Sequence, residues 1–404
     1  MNSGILIGGG VFIYYTIKYL SAPKLVFSKI SKYGLWLIII WLVLLILYSL
    51  SIGLASGSYD FQLSKNYISL LLIYWPGSIF LSKKISQEYS LEKGLNFIEN
   101  VIFIQAIIVL IMLINPSFKS LIFSILKDGD MRELKNEING GFRFLGFSYG
   151  TTWDLAFLQS LGLIVFSFRI RLFSKKIKFF DVVKYFLILF SGIISGRTVF
   201  IGIIFSLIIL ISPLKLSNFS FKKPIVLALK FLSIATFCFF IMGSLLPESI
   251  KKTVNENILP WAFEMFEQKS NGKYETSSSN ELQKMYFEIP IQTLIFGDGY
   301  YVNPIDKDRY YMDTDAGYMR HILYYGLVGT SMLIFFYLAI FRRMGKCFKE
   351  FRYNLFVRFC VFLIMSYFFI GQIKGDLLSG ADMPIKFLFI LCMIFIFYDK
   401  KEEY

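Results

Sequence analysis

Histidine is almost missing from this chain: His321 is the single one in 404 residues. No second histidine is present to help build a zinc site, which usually draws on several His and Cys ligands. The four cysteines, at 238, 347, 360 and 392, all fall in or beside apolar segments. The long polar segments hold none, so no disulfide framework is implied. Charge is also scarce, at 17% of residues, against about 25% in average soluble domains. No P-loop, no dinucleotide fingerprint in a βαβ setting, no HExxH and no CxxC occurs. These absences exclude a nucleotide-driven pump as an activity of this chain alone, and no cofactor or metal is expected.

What the chain has in excess is apolar sequence, 56% of residues, arranged in runs. No charge lies between Lys32 and Asp60, and Ile385 to Tyr398 contains only Lys386. A helix needs roughly 20 mostly apolar residues to cross a bilayer. Transmembrane β-strands alternate apolar and polar residues over about 10 positions, whereas these runs are continuous. A soluble globular enzyme, a disordered chain and a fibre are excluded. The class is an all-α polytopic integral membrane protein of about eleven transmembrane helices. The predicted spans lie near 3–20, 34–56, 66–82, 95–114, 154–172, 181–196, 198–213, 225–246, 317–341, 355–373 and 384–399. The opening run Ile5 to Leu20 lacks a basic stretch before it and reads as a first span rather than a cleaved signal. Only Arg197 separates 181–196 from 198–213, so these form a tight helical hairpin.

The net charge of +14 does not point to nucleic acid, because Lys and Arg sit in short clusters between apolar runs. Loops 18–33, 83–94, 169–178, 215–223 and 342–358 are basic, and each is every second loop. The intervening short loops are poor in Lys and Arg; 52–65 holds Lys65 alone. By the positive-inside rule the N-terminus is outside and the C-terminus cytoplasmic. Two long loops, 115–153 and 247–316, then fall outside. The organisation is 1–246 with eight spans, 247–316 as the large outer loop, and 317–404 with three spans. Within the large loop, Leu282, Met285, Tyr286 and Ile289 share one face of a predicted helix over Glu281–Ile289, which Pro290 interrupts or ends. Gly297-Asp298-Gly299 is a turn signal.

Charges inside spans cost about 2.5–3.5 kcal/mol at mid-bilayer and need a reason. Lys18, Lys184 and Lys230 lie near cytoplasmic span ends, where they are expected to snorkel. Arg197, in Ser195-Gly196-Arg197-Thr198, sits at an outer hairpin tip. Arg320 lies about one turn inside the outer end of its span, and Lys374 at the outer end of another, with Asp376 following. Three cations at one depth repel one another unless an anion lies among them, and a lipid-linked pyrophosphate has its charge at that depth. The alternative is three independent snorkelling cations, paired with loop acids such as Asp376 or Asp315. The junction Asp313-Thr314-Asp315-Ala316-Gly317-Tyr318-Met319-Arg320-His321 carries the second constellation. Asp315 is a candidate general base on a sugar hydroxyl. The same acids also suit a helix N-cap. His321 points about 100° away from Arg320 on a helix and reads first as a packing residue.

These motifs resemble the O-antigen polymerase (Wzy) family, within the wider group that includes the O-antigen ligases. The resemblance rests on Ser195-Gly196-Arg197-Thr198, on Ile295-Phe296-Gly297-Asp298-Gly299-Tyr300, and on Thr314-Asp315-Ala316-Gly317-Tyr318 leading to Tyr325-Gly326-Leu327-Val328-Gly329, with Lys374 as a weaker fourth place. It covers about 195–376; the N-terminal half is similar only in hydropathy. The resemblance implies a multi-pass glycosyltransferase of the bacterial inner membrane with a large periplasmic loop. Its donor and acceptor would be glycans on undecaprenyl pyrophosphate, its surroundings membrane lipids, and a chain-length regulator a further partner. Arg197, Arg320 and Lys374 would bind the pyrophosphate, Asp315 or His321 would serve catalysis, and Asp298, Tyr300, Asp313 and Tyr318 would line the substrate loop. The ligases carry a His-Asn motif where this chain has Thr314-Asp315, which favours a polymerase. A flippase for the same lipid-linked unit is the rival from another class; it would place its cations at mid-membrane between pseudo-symmetric halves.

Overall fold

A computed structural model gives the structure of the protein. It describes residues 35–126, 152–214, 247–264 and 276–398, apart from a few positions within those ranges, and isolated residues elsewhere such as Tyr14, Phe144 and Gly146. The predicted spans 3–20 and most of 225–246 lie outside the described residues. So do the loops 18–33 and 215–223, together with Lys18, Lys230, Cys238 and the C-terminal residues 399–404.

The described elements are helices, joined by one isolated antiparallel bridge between Val302 and Tyr310. In chain order they are α1 (Trp36–Ala55), α2 (Gln62–Ser69), α3 (Trp75–Glu88), α4 (Leu91–Ile114), α5 (Pro116–Ile125), α6 (Thr152–Phe173), α7 (Phe179–Ser195) and α8 (Val199–Ile211). They continue with α9 (Glu248–Thr253), α10 (Leu259–Phe263), α11 (Ser277–Lys284), α12 (Ile291–Phe296), α13 (Gly317–Lys346), α14 (Asn354–Lys374) and α15 (Met383–Tyr398). Six stretches are long and apolar enough to cross a membrane: Trp36–Ala55, Gln62–Ile85, Leu91–Ile114, Trp153–Phe173, Gly317–Lys346 and Asn354–Lys374. The shorter α7, α8 and α15 occupy three more of the predicted spans.

Two prolines shape helices in the same way. Pro76 and Pro260 lack an amide proton, and each ring crowds the carbonyl four residues back. The helix widens just before each, into π-helical turns at Leu70–Tyr74 and Val254–Ile258, which join α2 to α3 and α9 to α10.

The chain forms two units. Unit 1 comprises Met1–Gly94, Ser278–Asn354 and Phe368–Tyr404; unit 2 comprises Leu95–Ser277 and Leu355–Tyr367. Residues 247–316 are therefore divided, 247–277 going with unit 2 and 278–316 with unit 1. In unit 1, α13 packs on α1, α12 and α15, and α15 packs on α3, with the Trp75 and Phe389 rings edge to face at 5.2 Å. In unit 2, α6 lies between α7 and α8. Small residues let these helices close up, as membrane helices often do. A Cβ on Gly202 would collide with Ser160, and one on Gly192 with Val199. Ser167 and Ser206 share a hydrogen bond at 2.6 Å. The apolar core beside them includes Val109, Phe123, Leu155, Phe186, Phe190, Ile194 and Ile258.

Two expectations are corrected. The helix expected over Glu281–Ile289 ends at Lys284, and Pro290 instead caps α12. Beyond Lys284, Met285, Phe287 and Ile289 alternate onto the patch of Ala316, Met319 and Leu323. That period of two is a strand-like register, which brings more apolar surface to α13 than a helix would. Tyr286 turns the other way and donates to the Ile373 carbonyl at 2.7 Å. Lys184 does not snorkel: it is buried and donates to Asn96 at 3.1 Å and Asn100 at 2.7 Å. The same network holds Glu99, inside α4, which accepts from Arg169 Nε at 2.7 Å, while Arg169 Nη2 reaches Asp181 at 3.0 Å. Buried charges are matched within helices α4, α6 and α7, which removes the need to reach water.

Candidate functional site

The site in unit 1 begins with a break in α13. At Tyr325 (φ −127°, ψ 17°) and Gly326 (φ 64°, ψ −169°) the helix leaves its own hydrogen-bond ladder. The break releases two carbonyls, and the turn after α12 takes them up. Asp298 N donates to Leu323 O at 2.7 Å and Gly299 N to Tyr324 O at 3.0 Å. Glycine is required on both sides of this joint. Gly297 (φ 77°) and Gly326 (φ 64°) lie in the left-handed region, and a Cβ on either would strike backbone of the other segment. Two of the sequence motifs, 295–300 and 325–329, thus meet in one interlock.

The loop between α1 and α2 completes the scaffold. Asp60 accepts from the backbone of Tyr301 at 2.8 Å and Val302 at 2.9 Å, and Ser58 Oγ donates to Gly299 O at 2.6 Å. Tyr324 OH reaches Asp60 O at 2.7 Å. Segments 56–61, 297–302 and 374–379 meet here.

At the centre is Asp376, buried just past the end of α14. Its Oδ1 accepts from His321 Nε2 at 2.8 Å, Ser379 N at 3.1 Å and Gln372 Nε2 at 3.3 Å; its Oδ2 accepts from Tyr301 OH. Gln372 Oε1 in turn accepts from Leu377 N at 2.8 Å and Leu378 N at 3.0 Å, which fixes the turn. The other ring nitrogen of His321, Nδ1, pairs with Tyr325 OH at 3.2 Å. Tyr325 OH also pairs with Tyr67 OH. Burial raises the Asp376 pKa, but His321, Arg320 and the Tyr301 hydroxyl outweigh it and hold the carboxyl well below the ordinary range.

Arg320 stands beside this column. Its guanidinium carbon is 3.9 Å from the Tyr301 ring centroid and 3.6 Å from that of Tyr310, so the planar group is clamped between two aromatic faces. The Asp315 residue is exposed at the surface, but protein atoms crowd its carboxyl and bury it in part from water. That burial raises its carboxyl pKa; Arg320 and Lys374 pull it partly back. Asp315, Arg320 and Lys374 are therefore electrostatic neighbours. Asp298 accepts from Thr293 Oγ1 at 2.7 Å and Tyr311 OH at 3.2 Å, and Tyr300 stacks on Tyr311 at 5.2 Å. Tyr318 OH donates to Phe369 O at 3.0 Å. Asp313 is exposed, with φ 52°, and lies 3.8 Å from Arg309.

Arg197 belongs to unit 2. Its Nε donates to Trp261 O at 2.8 Å, its Nη2 pairs with Glu264, and its guanidinium lies 4.9 Å from the Trp261 ring centroid. The three cations expected to share an anion thus fall in two units, with Arg320 and Lys374 in one.

Sequence reasoning passed over several of these residues. Asp376 was visible only as a loop acid near Lys374; its spacing of four from Gln372 at a helix end was the available signal. Glu99, a lone carboxylate within a predicted span, was another. Asp60 gave no signal, because its role depends on backbone donors 241 residues away. Among the described residues no three His, Cys, Asp or Glu side chains converge as a metal site requires. No family model matches the chain, and no curated protein or solved structure matches it.

Proposed function

We propose that the chain is a membrane glycosyltransferase that lengthens a glycan carried on a polyprenyl pyrophosphate, as an O-antigen polymerase does, at the outer face of a bacterial inner membrane. The observation that carries this reading is the grouping of Asp315, Arg320 and Lys374: a carboxyl with a raised pKa beside two cations, next to a rigid buried column, in an all-helical apolar chain. In the reaction, the acceptor hydroxyl oxygen bonds to the donor's anomeric carbon. The bond from that carbon to the pyrophosphate oxygen breaks, and the lipid pyrophosphate leaves with the electron pair. Asp315 takes the hydroxyl proton, and its raised pKa suits a base that must hold it. Arg320 and Lys374 neutralise charge on the departing pyrophosphate. His321 has both ring nitrogens engaged, so it acts as a positioning residue, holding Asp376 and, through Tyr301, the face on which Arg320 rests.

The test is turnover by the detergent-purified protein on the lipid-linked repeat unit isolated from the cells that carry it. Lengthening of the glycan on its carrier supports a polymerase. Transfer only to a lipid A core acceptor would make it a ligase, and movement across a bilayer without bond formation a flippase.

A further inference from the structure

No charge occurs between Glu288 and Asp298. Within that run α12 leaves three large apolar side chains uncovered: Ile291 at 68% exposure, Ile295 at 38% and Phe296 at 57%. The depth of α12 in the fold decides what covers them. α1 supplies a ruler, since its 20 mostly apolar residues span about 30 Å, the thickness of a bilayer's hydrocarbon core. It ends at Ala55, where Ser56, Gly57 and Ser58 begin the next loop. Tyr48 stands about 10 Å back from that end. Its hydroxyl donates to Tyr325 O at 3.3 Å, and a Cβ on Gly329 would strike its ring. The break in α13 is thus level with Tyr48 or up to one turn nearer the end of α1. α12 finishes at that break, because a Cβ on Gly326 would strike Ile295 O and Phe296 N. Phe296 therefore lies roughly 5–10 Å below the end of α1.

The chain descends to this level and climbs out again. Before α12, Ile289 packs with Ala316, Met319 and Leu323, around the start of α13. After it, Gly299 is back at the loop beyond α1, where its carbonyl accepts from Ser58 Oγ at 2.6 Å. Irregular backbone at membrane depth is tolerated only where protein satisfies its polar groups. The turn meets that condition, since Asp298 N and Gly299 N bond to the Leu323 and Tyr324 carbonyls that the break in α13 releases. The Asp298 carboxylate accepts from Thr293 Oγ1 at 2.7 Å and Tyr311 OH at 3.2 Å, and Gln292 lies in the first turn of α12, nearest the surface. The uncovered residues also adjoin Leu327 and Val328, which follow Gly326 in α13 and are 45% and 44% exposed. We propose that residues 290–299 are a re-entrant hairpin in the leaflet on the side of residues 56–61, and that Ile291, Ile295 and Phe296 dock on its acyl chains. This rests on α1 and α13 crossing the membrane and not on the reaction proposed above. Tyr301, two residues beyond the hairpin, holds Arg320, so the lipid contact sets the height of that guanidinium at the membrane surface.

The experiment is spin-label depth measurement on the full chain, cysteine-free apart from one introduced site, in vesicles of phosphatidylcholine and phosphatidylglycerol. A nitroxide is placed at Ile291→Cys, Ile295→Cys, Phe296→Cys, Leu47→Cys or Ile305→Cys. Its collisions are compared for oxygen, which concentrates among acyl chains, and for a water-soluble nickel chelate. Leu47, 57% exposed in the middle of α1, marks the lipid, and Ile305, 96% exposed, marks water. At Phe296 and Ile295 oxygen should outweigh nickel severalfold, as at Leu47. Ile291 should lie between them and Ile305, where nickel should dominate. Each labelled protein should melt as the unlabelled one does; Ile295→Cys gives the same reading should Phe296→Cys disturb the fold. Nickel access at Ile295 and Phe296 equal to that at Ile305 would overturn the proposal and leave a water-facing loop. Access to neither reagent would also overturn it, in favour of a protein cover such as a second copy. Nickel access at Leu47 would overturn it by removing the crossing of α1.

Discussion

His321 Nε2 lies 2.8 Å from Asp376 Oδ1, and both side chains are 1% exposed. One residue comes from α13 and the other from the turn after α14, so the pair ties two segments 55 positions apart. Removing one partner from such a pair leaves a buried group uncompensated, at a cost of about 3 kcal/mol. His321→Leu and Asp376→Leu should each lower thermal stability by that order in detergent. The double variant should lose less than the sum of the two single losses, because the contact they share is then removed only once. Asp376 also carries a pH signature. Its pKa is depressed on folding, so its stabilisation is complete above the ordinary 3.8 and is lost as pH falls through the lowered value. Asp376→Asn should flatten the acid side of the stability profile; an unchanged acid limb would show that the pair carries no such linkage.

The interlock of 295–300 with 325–329 sets a graded test with glycines. Gly57 has φ 68° and nothing within 4 Å of an added Cβ. Gly57→Ala should cost only the left-handed backbone term, about 1 kcal/mol. Gly326→Ala bears the same term and a collision with Ile295 backbone, and Gly297→Ala one with Tyr324. Both should exceed the Gly57→Ala loss clearly in thermal melts. Equal losses at all three positions would mean that the turn does not dock on α13 as described.

How far sequence reached into this site follows from range. Asp315, Arg320 and His321 stand in one motif, and the interval between them was legible because helical geometry is local. The six stretches long and apolar enough to cross a membrane were legible because length and apolar run report directly on burial in lipid. What escaped was set by distant partners. His321 looked like a packing residue until Asp376, Tyr325 and Tyr67 enclosed it, and nothing local marks Tyr67 as its neighbour's partner. The end of α11 escaped for the same reason: the patch on α13 that draws Met285, Phe287 and Ile289 into a two-residue period lies some 30 residues on.

Sidedness can be measured directly. The basic loop 342–358 is expected inside, and Ile305, 96% exposed, stands in the segment expected outside. In a cysteine-free background, a membrane-impermeant maleimide should label Ile305→Cys on intact cells and Lys349→Cys only after permeabilisation. Inverted labelling would place the Asp315 site on the cytoplasmic side and remove the proposed function with it.

Asp315 makes a prediction about pH whose sign is fixed. A general base must be deprotonated, so the rate of glycan lengthening should rise with pH through the carboxyl's pKa, which burial holds above 3.8. Lys374 and Arg320 lower that pKa. Lys374→Gln removes one cation, so the acid limb should move to higher pH, and the rate at its plateau should also fall. Asp315→Asn should lower single-turnover rate about 100-fold and abolish the limb. A limb that stays in place in Lys374→Gln would assign it to another group.

The clamp on Arg320 separates what the tyrosine ring does from what its hydroxyl does. Tyr301 presents its face to the guanidinium at 3.9 Å and its hydroxyl to Asp376. Tyr301→Phe keeps the face and gives up the hydroxyl; Tyr301→Leu gives up both. A cation on an aromatic face is worth about 0.5–2 kcal/mol, more where water is excluded, and Arg320 is only 7% exposed. The position of Arg320 should therefore survive Tyr301→Phe better than Tyr301→Leu. Single-turnover lengthening should fall severalfold in the first and by more than about tenfold in the second. Tyr310 is 41% exposed and holds the outer face of the clamp at 3.6 Å. Tyr310→Leu should be the mildest of the three, since water can solvate the face it uncovers. Arg320→Lys keeps the charge but loses both the planar stack and the two-pronged grip on phosphate oxygens. Its rate should fall at least as far as that of Tyr301→Leu. If Arg320→Lys turned over like wild type, a point charge would suffice at this position, and the clamp would be a packing feature of α13 with no part in holding the leaving group.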